Sequence, residues 1–207
     1  MTKKIISIFA ALVASVTVFA QEAAPVEQTG GLIGKNVASV AFTNGLLNEF
    51  DLDTYATTFQ VNESITNNLD LGFNYSYTWF EGNNNVDFNN VGSYAVVYTT
   101  YNQFKPFVKL GLNYNWEDYA IAQQNYLSWN AFAGVEYSLN SKLGFTFSAG
   151  YVDDFGSDHG GWETIDLNWR GSLGANYWVT EKIVTGLEVG YREGGNYSVT
   201  ALVGYKF

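Results

Sequence analysis

The chain has no cysteine, two prolines and one histidine among its 207 residues. Without cysteine it can form no disulfide, offers no attachment site for a lipoprotein anchor, and supplies no thiolate ligand for zinc. Charged residues make up only 14% of the chain, against roughly 25% in soluble domains. The net charge of −10 has the wrong sign for a nucleic-acid-binding surface, so we expect no nucleic-acid partner.

The chain has one long hydrophobic run, at its N-terminus. Two lysines precede an apolar stretch over residues 5–20, and Ala20 ends that stretch with a small side chain. This order predicts a signal peptide over residues 1–20. A membrane-anchoring helix is the alternative, but the stretch is shorter than the ~20 residues that a span requires. Residues 21–35, with proline and paired glycine, predict a flexible periplasmic lead-in.

Aromatic residues and glycine are abundant, with 15 Tyr, 15 Phe, 6 Trp and 21 Gly. Residues 69–80 place Leu, Phe, Tyr and Trp on one parity and mostly small polar residues on the other. Residues 197–207 alternate in the same way, with Leu202 as the exception on the polar parity. Because side chains on a strand alternate between its two faces, both stretches predict strands with one apolar face.

The same pattern predicts ten strands in all. They cover residues 36–43, 54–61, 69–80, 88–101, 106–116, 126–138, 142–153, 164–179, 183–193 and 197–207. For residues 88–101 the pattern does not decide which side chains point into the barrel and which point outward. The alternative is eight strands, in which the residues before Asn62 lie outside the sheet.

Alternation alone does not separate a secreted sandwich from a barrel in lipid. Three features favour lipid: the polar face is small and neutral, Tyr and Trp lie near the strand ends, and an export signal precedes the strands. We therefore predict an all-β fold, a closed antiparallel up-and-down transmembrane β-barrel over residues 36–207. An even number of strands places both ends of the barrel sequence on the periplasmic side.

The last strand carries a more specific signal. It ends on Tyr205 and Phe207, and so resembles the closing strand of bacterial outer-membrane β-barrels, whose assembly machinery reads an aromatic C-terminus. Nearly the whole mature chain resembles small barrels of the OmpA, OmpX and OmpW kind. The resemblance implies an integral outer-membrane location in a Gram-negative cell envelope. It also implies outer-membrane lipids and the barrel-assembly machinery as partners, and a monomer.

Charged residues on the polar parity are expected to face the lumen. They are Lys109, Glu136, Asp166, Arg170, Glu188 and Arg192. Because an unpaired buried charge is costly, we expect these residues to form an internal salt-bridge network in a lumen that side chains largely fill. The alternative is a narrow polar conduit lined by the same charges.

The predicted outer loops are acidic. Asp153, Asp154 and Asp158 predict a solvated acidic surface, with a loosely bound Ca²⁺ or Mg²⁺ as the alternative; no other cofactor is expected. His159 follows Asp158, and an aspartate can orient a histidine for base catalysis. Omptin-like proteases and lipid A deacylases are enzymes built on barrels of this size. The Asp-x-His pattern of the omptins is not matched, so we expect no enzyme.

The function predicted from the sequence is a structural or interaction role in the outer membrane. The alternative is a small porin-like diffusion channel that prefers cations, because acidic loops attract them. An outer-membrane hydrolase is the least expected function.

Overall fold

Ten antiparallel strands close into a barrel in the computed structural model, which describes residues 30–47, 52–81, 83–119, 122–155 and 169–207. The strands are β1 (Val37–Leu47), β2 (Leu52–Thr66), β3 (Leu69–Phe80), β4 (Asn83–Tyr98), β5 (Phe104–Tyr119), β6 (Ala122–Ser138), β7 (Leu143–Asp154), β8 (Trp169–Trp178), β9 (Ile183–Arg192) and β10 (Asn196–Lys206). Each strand pairs with its sequence neighbours, and β1 pairs with β10. The ten-strand prediction is confirmed, and the eight-strand alternative is wrong because β1 and β2 belong to the barrel.

The strand register fixes the width of the barrel. Followed from Lys105 of β5 around all ten strands, it returns to β5 at Glu117, twelve residues further on. With about 3.3 Å per residue and about 4.8 Å between strands, this stagger tilts the strands by about 40° and places the backbone about 10 Å from the axis. Such a lumen is narrow enough for side chains to fill most of it.

Alternation along the strands separates an apolar outer face from a polar inner face. On the outer face, Leu187, Leu173 and Val203 are 63%, 60% and 58% exposed. On β10 the whole predicted apolar parity points outward. Its inner parity is small and polar apart from Leu202, as the sequence predicted. Among the described residues, no helix is long and apolar enough to cross a membrane.

The orientation of β4, which was left open, places large side chains in the lumen. Tyr94, Val96 and Tyr98 point inward and are buried, and Phe107 of β5 packs with them. Ser93, on the opposite parity, is exposed on the outer face. One side of the lumen is therefore filled by aromatic rings, and we call it the aromatic wall.

Several predicted connections are shorter in the structure. The predicted turn at 62–68 contracts to residues 67–68, and the predicted loop at 117–125 contracts because β5 and β6 pair as far as Tyr119 and Ala122. Backbone hydrogen bonds continue these hairpins through polar residues where the apolar pattern has already stopped. The predicted start of the eighth strand, at residue 164, lies outside the described residues.

The two ends of the barrel differ in what they carry. The turn end holds the connections at 67–68, 99–103, 139–142 and 179–182, the start of β1 and the end of β10. The loop end holds the remaining connections. Residues 1–20 lie outside the described part, so the signal peptide stays a prediction.

Candidate functional site

The lumen at the turn end is occupied by residues 30–36, which we call the N-terminal segment. Glu136 of β6 accepts hydrogen bonds from the backbone N–H groups of Leu32 (2.6 Å) and Ile33 (3.1 Å). Asp70 of β3 accepts one from the N–H of Gly34 (2.7 Å). Both carboxylates are only 1% exposed. Two buried acids on β3 and β6 therefore hold the same short segment through its backbone.

Donors from the barrel bind the carbonyl groups of the same segment. Lys105 donates from Nζ to the carbonyl of Ile33 (2.6 Å), and this Nζ also lies 3.9 Å from the Glu136 carboxylate. Trp178 donates from its indole nitrogen to the carbonyl of Gly30 (3.1 Å), and Asn62 donates to that of Lys35 (2.9 Å). The prediction of a flexible lead-in is therefore wrong for residues 30–35. The sequence missed these contacts because they join residues far apart in the chain.

Two glycines allow the segment to approach the barrel wall this closely. A Cβ atom on Gly30 would overlap the backbone of Leu143, and one on Gly31 would overlap the Glu136 carboxylate. Backbone atoms cannot move aside cheaply, so Gly30 is required by packing, whereas a side chain at position 31 would displace the Glu136 carboxylate from the segment. In the sequence the same pair was interpreted as a sign of flexibility.

Apolar packing adds to these hydrogen bonds. Ile33 packs against the aromatic wall, and Leu32 packs against the cluster of Val37, Trp178 and Val184. Lys35 lies over the indole ring of Trp178, with 4.3 Å between Nζ and the ring centroid. Burial lowers the pKa of Lys35 to about 8, although the Glu136 carboxylate acts in the opposite direction. The two apolar side chains of the segment thus pack against apolar clusters, and its lysine packs against an aromatic ring.

Five of the six lumen charges predicted from the sequence are described, and these five lie at different levels and do not form one network. Glu136 pairs with Lys105, which was not among them. Higher in the lumen, Lys109 lies over the ring of Tyr94, 4.0 Å from its centroid, and Glu188 is the carboxylate that acts on it electrostatically.

The two arginines of the predicted set are direct cross-strand neighbours. Arg170 of β8 is paired in register with Arg192 of β9 near the loop end. Asp166, the last member of the set, lies outside the described residues.

The acidic loop residues are only partly described. Asp153 and Asp154 end β7, and the N–H of Asp154 donates to the Asp153 carboxylate (2.9 Å). Asp158 and His159 lie outside the described residues. In the part of the chain that the structure covers, no group of three or more His, Asp and Glu side chains could hold a metal ion. Binding of Ca²⁺ or Mg²⁺ stays a prediction.

The C-terminal residues lie at the seam of the barrel. Tyr205 and Phe207 face outward and are 49% and 58% exposed. The N–H of Phe207 donates to the carbonyl of Asn36 (3.2 Å). The last residue of the chain therefore binds the last residue of the N-terminal segment, immediately before β1.

The outer face carries aromatic rings at both ends and aliphatic side chains between them. At the loop end the ring of Trp79 stacks with those of Tyr55 (5.9 Å) and Tyr77 (5.7 Å). At the turn end Phe104 packs against Tyr137, with 4.9 Å between ring centroids. An exposed apolar band between two aromatic belts matches the two interfaces of a bilayer. The chain is a transmembrane β-barrel.

Comparison with known proteins agrees with this fold. No family model matches the chain, and no curated protein matches it. It is similar to the beta domain of the Bordetella autotransporter BrkA, with 10% identity over 84% of this chain and 98% of that domain and a TM-score of 0.50. Other similar structures are Neisserial surface protein A (14% identity, 86% and 99% covered, TM-score 0.45) and the KdgM porin (10% identity, 82% and 99% covered, TM-score 0.45). At these identities the similarity concerns the fold, and a fold does not define a function.

Proposed function

We propose that this protein is an integral barrel of the bacterial outer membrane with a structural or interaction role, and that its lumen does not conduct. The observation that carries the proposal is the N-terminal segment, which the buried carboxylates of Glu136 and Asp70 hold across the lumen at the turn end. A barrel closed in this way anchors loops in a membrane without transporting a solute.

The outer-membrane location is supported by the outer face and by the termini. Closed barrels satisfy every backbone hydrogen bond in lipid. Transmembrane barrels with an even number of antiparallel strands are typical of the bacterial outer membrane. The signal peptide predicted over residues 1–20 and the terminal Tyr205 and Phe207 fit export and assembly there. In this orientation the turn end faces the periplasm.

A small diffusion channel remains the alternative that experiment must separate from this role. Conduction would require a path past both the N-terminal segment and the aromatic wall, where Tyr98 is 2% and Tyr94 is 7% exposed. Backbone atoms of the segment and rings of the wall both lie along that path. The proposed role is not enzymatic.

Current recordings in planar bilayers test the proposal. We expect the mature protein to show no steady single-channel conductance. A variant that lacks residues 21–34 should show openings that are small, because most of the N-terminal segment is gone while the aromatic wall remains. A variant that lacks residues 21–28 is the matched control and should stay closed, because it retains residues 30–36. Steady conductance of the mature wild-type protein would overturn the proposal.

A further inference from the structure

The chain contains only two arginines, and the barrel places them side by side inside the lumen. Arg170 of β8 and Arg192 of β9 occupy one register position on the inner face, towards the loop end. Directly opposed side chains on neighbouring strands have Cβ atoms about 4.5–5.5 Å apart, and like charges in this arrangement destabilise a sheet. The eight other cationic side chains of the chain are lysines. Both groups able to bind an anion in a bidentate manner are therefore at one place.

Nothing in the described part of the chain neutralises this pair. The Nε atom of Arg170 is buried and has no hydrogen-bond partner. The one ion pair found within 4.0 Å among the described residues joins Lys105 and Glu136, at the opposite end of the lumen. One of the two adjacent guanidinium groups has a buried donor without a partner. A negatively charged group beside them would therefore be stabilising.

Two carboxylates of the described lumen, Glu188 and Glu117, are bound to other groups. Glu188 lies two inward positions from Arg192 on β9, where it is hydrogen-bonded by Ser172 and acts electrostatically on Lys109. Glu117 accepts a hydrogen bond from the hydroxyl of Tyr126 (2.7 Å). The same tyrosine lies near Arg170. In the part of the chain that the structure describes, neither of these carboxylates is paired with the two arginines.

The wall beside the arginines is lined by small side chains, unlike the aromatic wall. Below the pair, the inner face of β8 and β9 presents Ser172, Gly174 and Gly190. A Cβ atom added to Gly174 would find its nearest neighbour at 3.5 Å, which is ordinary van der Waals contact, whereas one added to Gly190 would lie 2.5 Å from the hydroxyl of Ser198. The wall below the pair therefore carries small side chains where the aromatic wall carries rings.

We propose that Arg170 and Arg192 form an oxyanion-binding site, which takes the phosphate or carboxylate group of a solute that enters from the loop end. A guanidinium group presents a planar fork of donors that matches both kinds of oxyanion, and two such forks suit a doubly charged group best. Binding would satisfy the free Nε donor of Arg170 and remove the repulsion between the two side chains. The site is independent of conduction, because it requires access from one end only.

Titration of the folded, detergent-solubilised protein with inorganic phosphate, at constant ionic strength in chloride, tests the site. Arg170→Gln and Arg192→Gln should each weaken binding by about tenfold to a hundredfold, the loss expected for charged hydrogen bonds. Arg170→Lys keeps the charge without the fork and should bind with intermediate affinity. Lys142→Gln, in an exposed turn at the other end, is the matched control and should bind like the wild type.

A chemical measurement on the wild-type protein keeps the test valid if the variants do not fold. Phenylglyoxal modifies arginine, and the chain has no arginine besides this pair, so the extent of modification reports on the proposed site alone. Phosphate, or citrate as a carboxylate probe, should protect both residues, whereas added chloride at equal ionic strength should not. Equal modification with and without these anions, or equal phosphate affinity of the wild type and both Gln variants, would overturn the proposal.

Discussion

The substitution Glu136→Gln tests how firmly the N-terminal segment is held in the lumen. Glutamine keeps the size of the side chain but removes its charge. The wild-type carboxylate accepts hydrogen bonds from Leu32 and Ile33 and lies 3.9 Å from the ammonium group of Lys105. The negative charge strengthens all of these interactions at a position that is 1% exposed.

The expected effect follows from the two backbone hydrogen bonds. A hydrogen bond to a charged group contributes about 1.5–3 kcal/mol, and a neutral one about 0.5–1.5 kcal/mol. Neutralising Glu136 should therefore cost about 2–3 kcal/mol of docking free energy for the segment. At about 1.4 kcal/mol per factor of ten, the population of the released segment should rise by about 30- to 140-fold.

Cysteine labelling measures this population, because the chain contains no cysteine of its own. In a Leu32→Cys background, the rate of maleimide labelling reports how often the segment leaves the lumen. Glu136→Gln should raise that rate by the factor above. Glu181→Gln is the matched control, since Glu181 is an exposed carboxylate in a connection at the same end of the barrel. Equal rates for Glu136→Gln and its parent would refute the reasoning.

Three further predictions concern the lysine of the segment, the lipid-facing surface and the C-terminus. Between pH 8 and about 10, the free energy of unfolding should rise with pH, because Lys35 loses its proton near pH 8 when folded but near 10.5 when unfolded. In denaturant titrations, Lys35→Met should remove this rise. Leu187→Arg, on the exposed outer face, should cost about 2–4 kcal/mol in lipid vesicles, the value for arginine near the bilayer midplane, whereas Leu139→Arg in a turn should cost little. Deletion of Phe207 should lower the yield of folded, heat-modifiable protein in the outer-membrane fraction; wild-type yield would contradict its role in assembly.

The strands were predictable because alternation is a local signal. β3 has the predicted bounds, Leu69–Phe80, and its six apolar residues face outward as the pattern indicated. The orientation of β4 could not be predicted, because Val91, Ala95 and Val97 on one face are about as apolar as Tyr94, Val96 and Tyr98 on the other. Only the register with β3 and β5 decides between the two faces.

The contacts inside the lumen could be predicted only in part. The face on which a strand residue lies follows from the local alternation, and the structure has Glu136 and Arg170 on the inner face. The partner of a lumen side chain cannot be predicted from its neighbours in the sequence, since Glu136 binds the backbone of residues more than 100 positions earlier. Lys105 was missed because it lies just before the predicted start of its strand, at Pro106. The N-terminal segment was missed because its bonds use backbone groups, which leave no pattern of side chains in the sequence.

Amide hydrogen exchange on the unmodified mature protein tests the closure of the lumen most directly. The N–H groups of Leu32, Ile33 and Gly34 are hydrogen-bonded to the buried carboxylates of Glu136 and Asp70. In the folded barrel these amides should exchange slowly, with protection close to that of the neighbouring residues of β1. Exchange of all three amides at the rate of an unstructured peptide, while β1 stays protected, would contradict an N-terminal segment docked in the lumen.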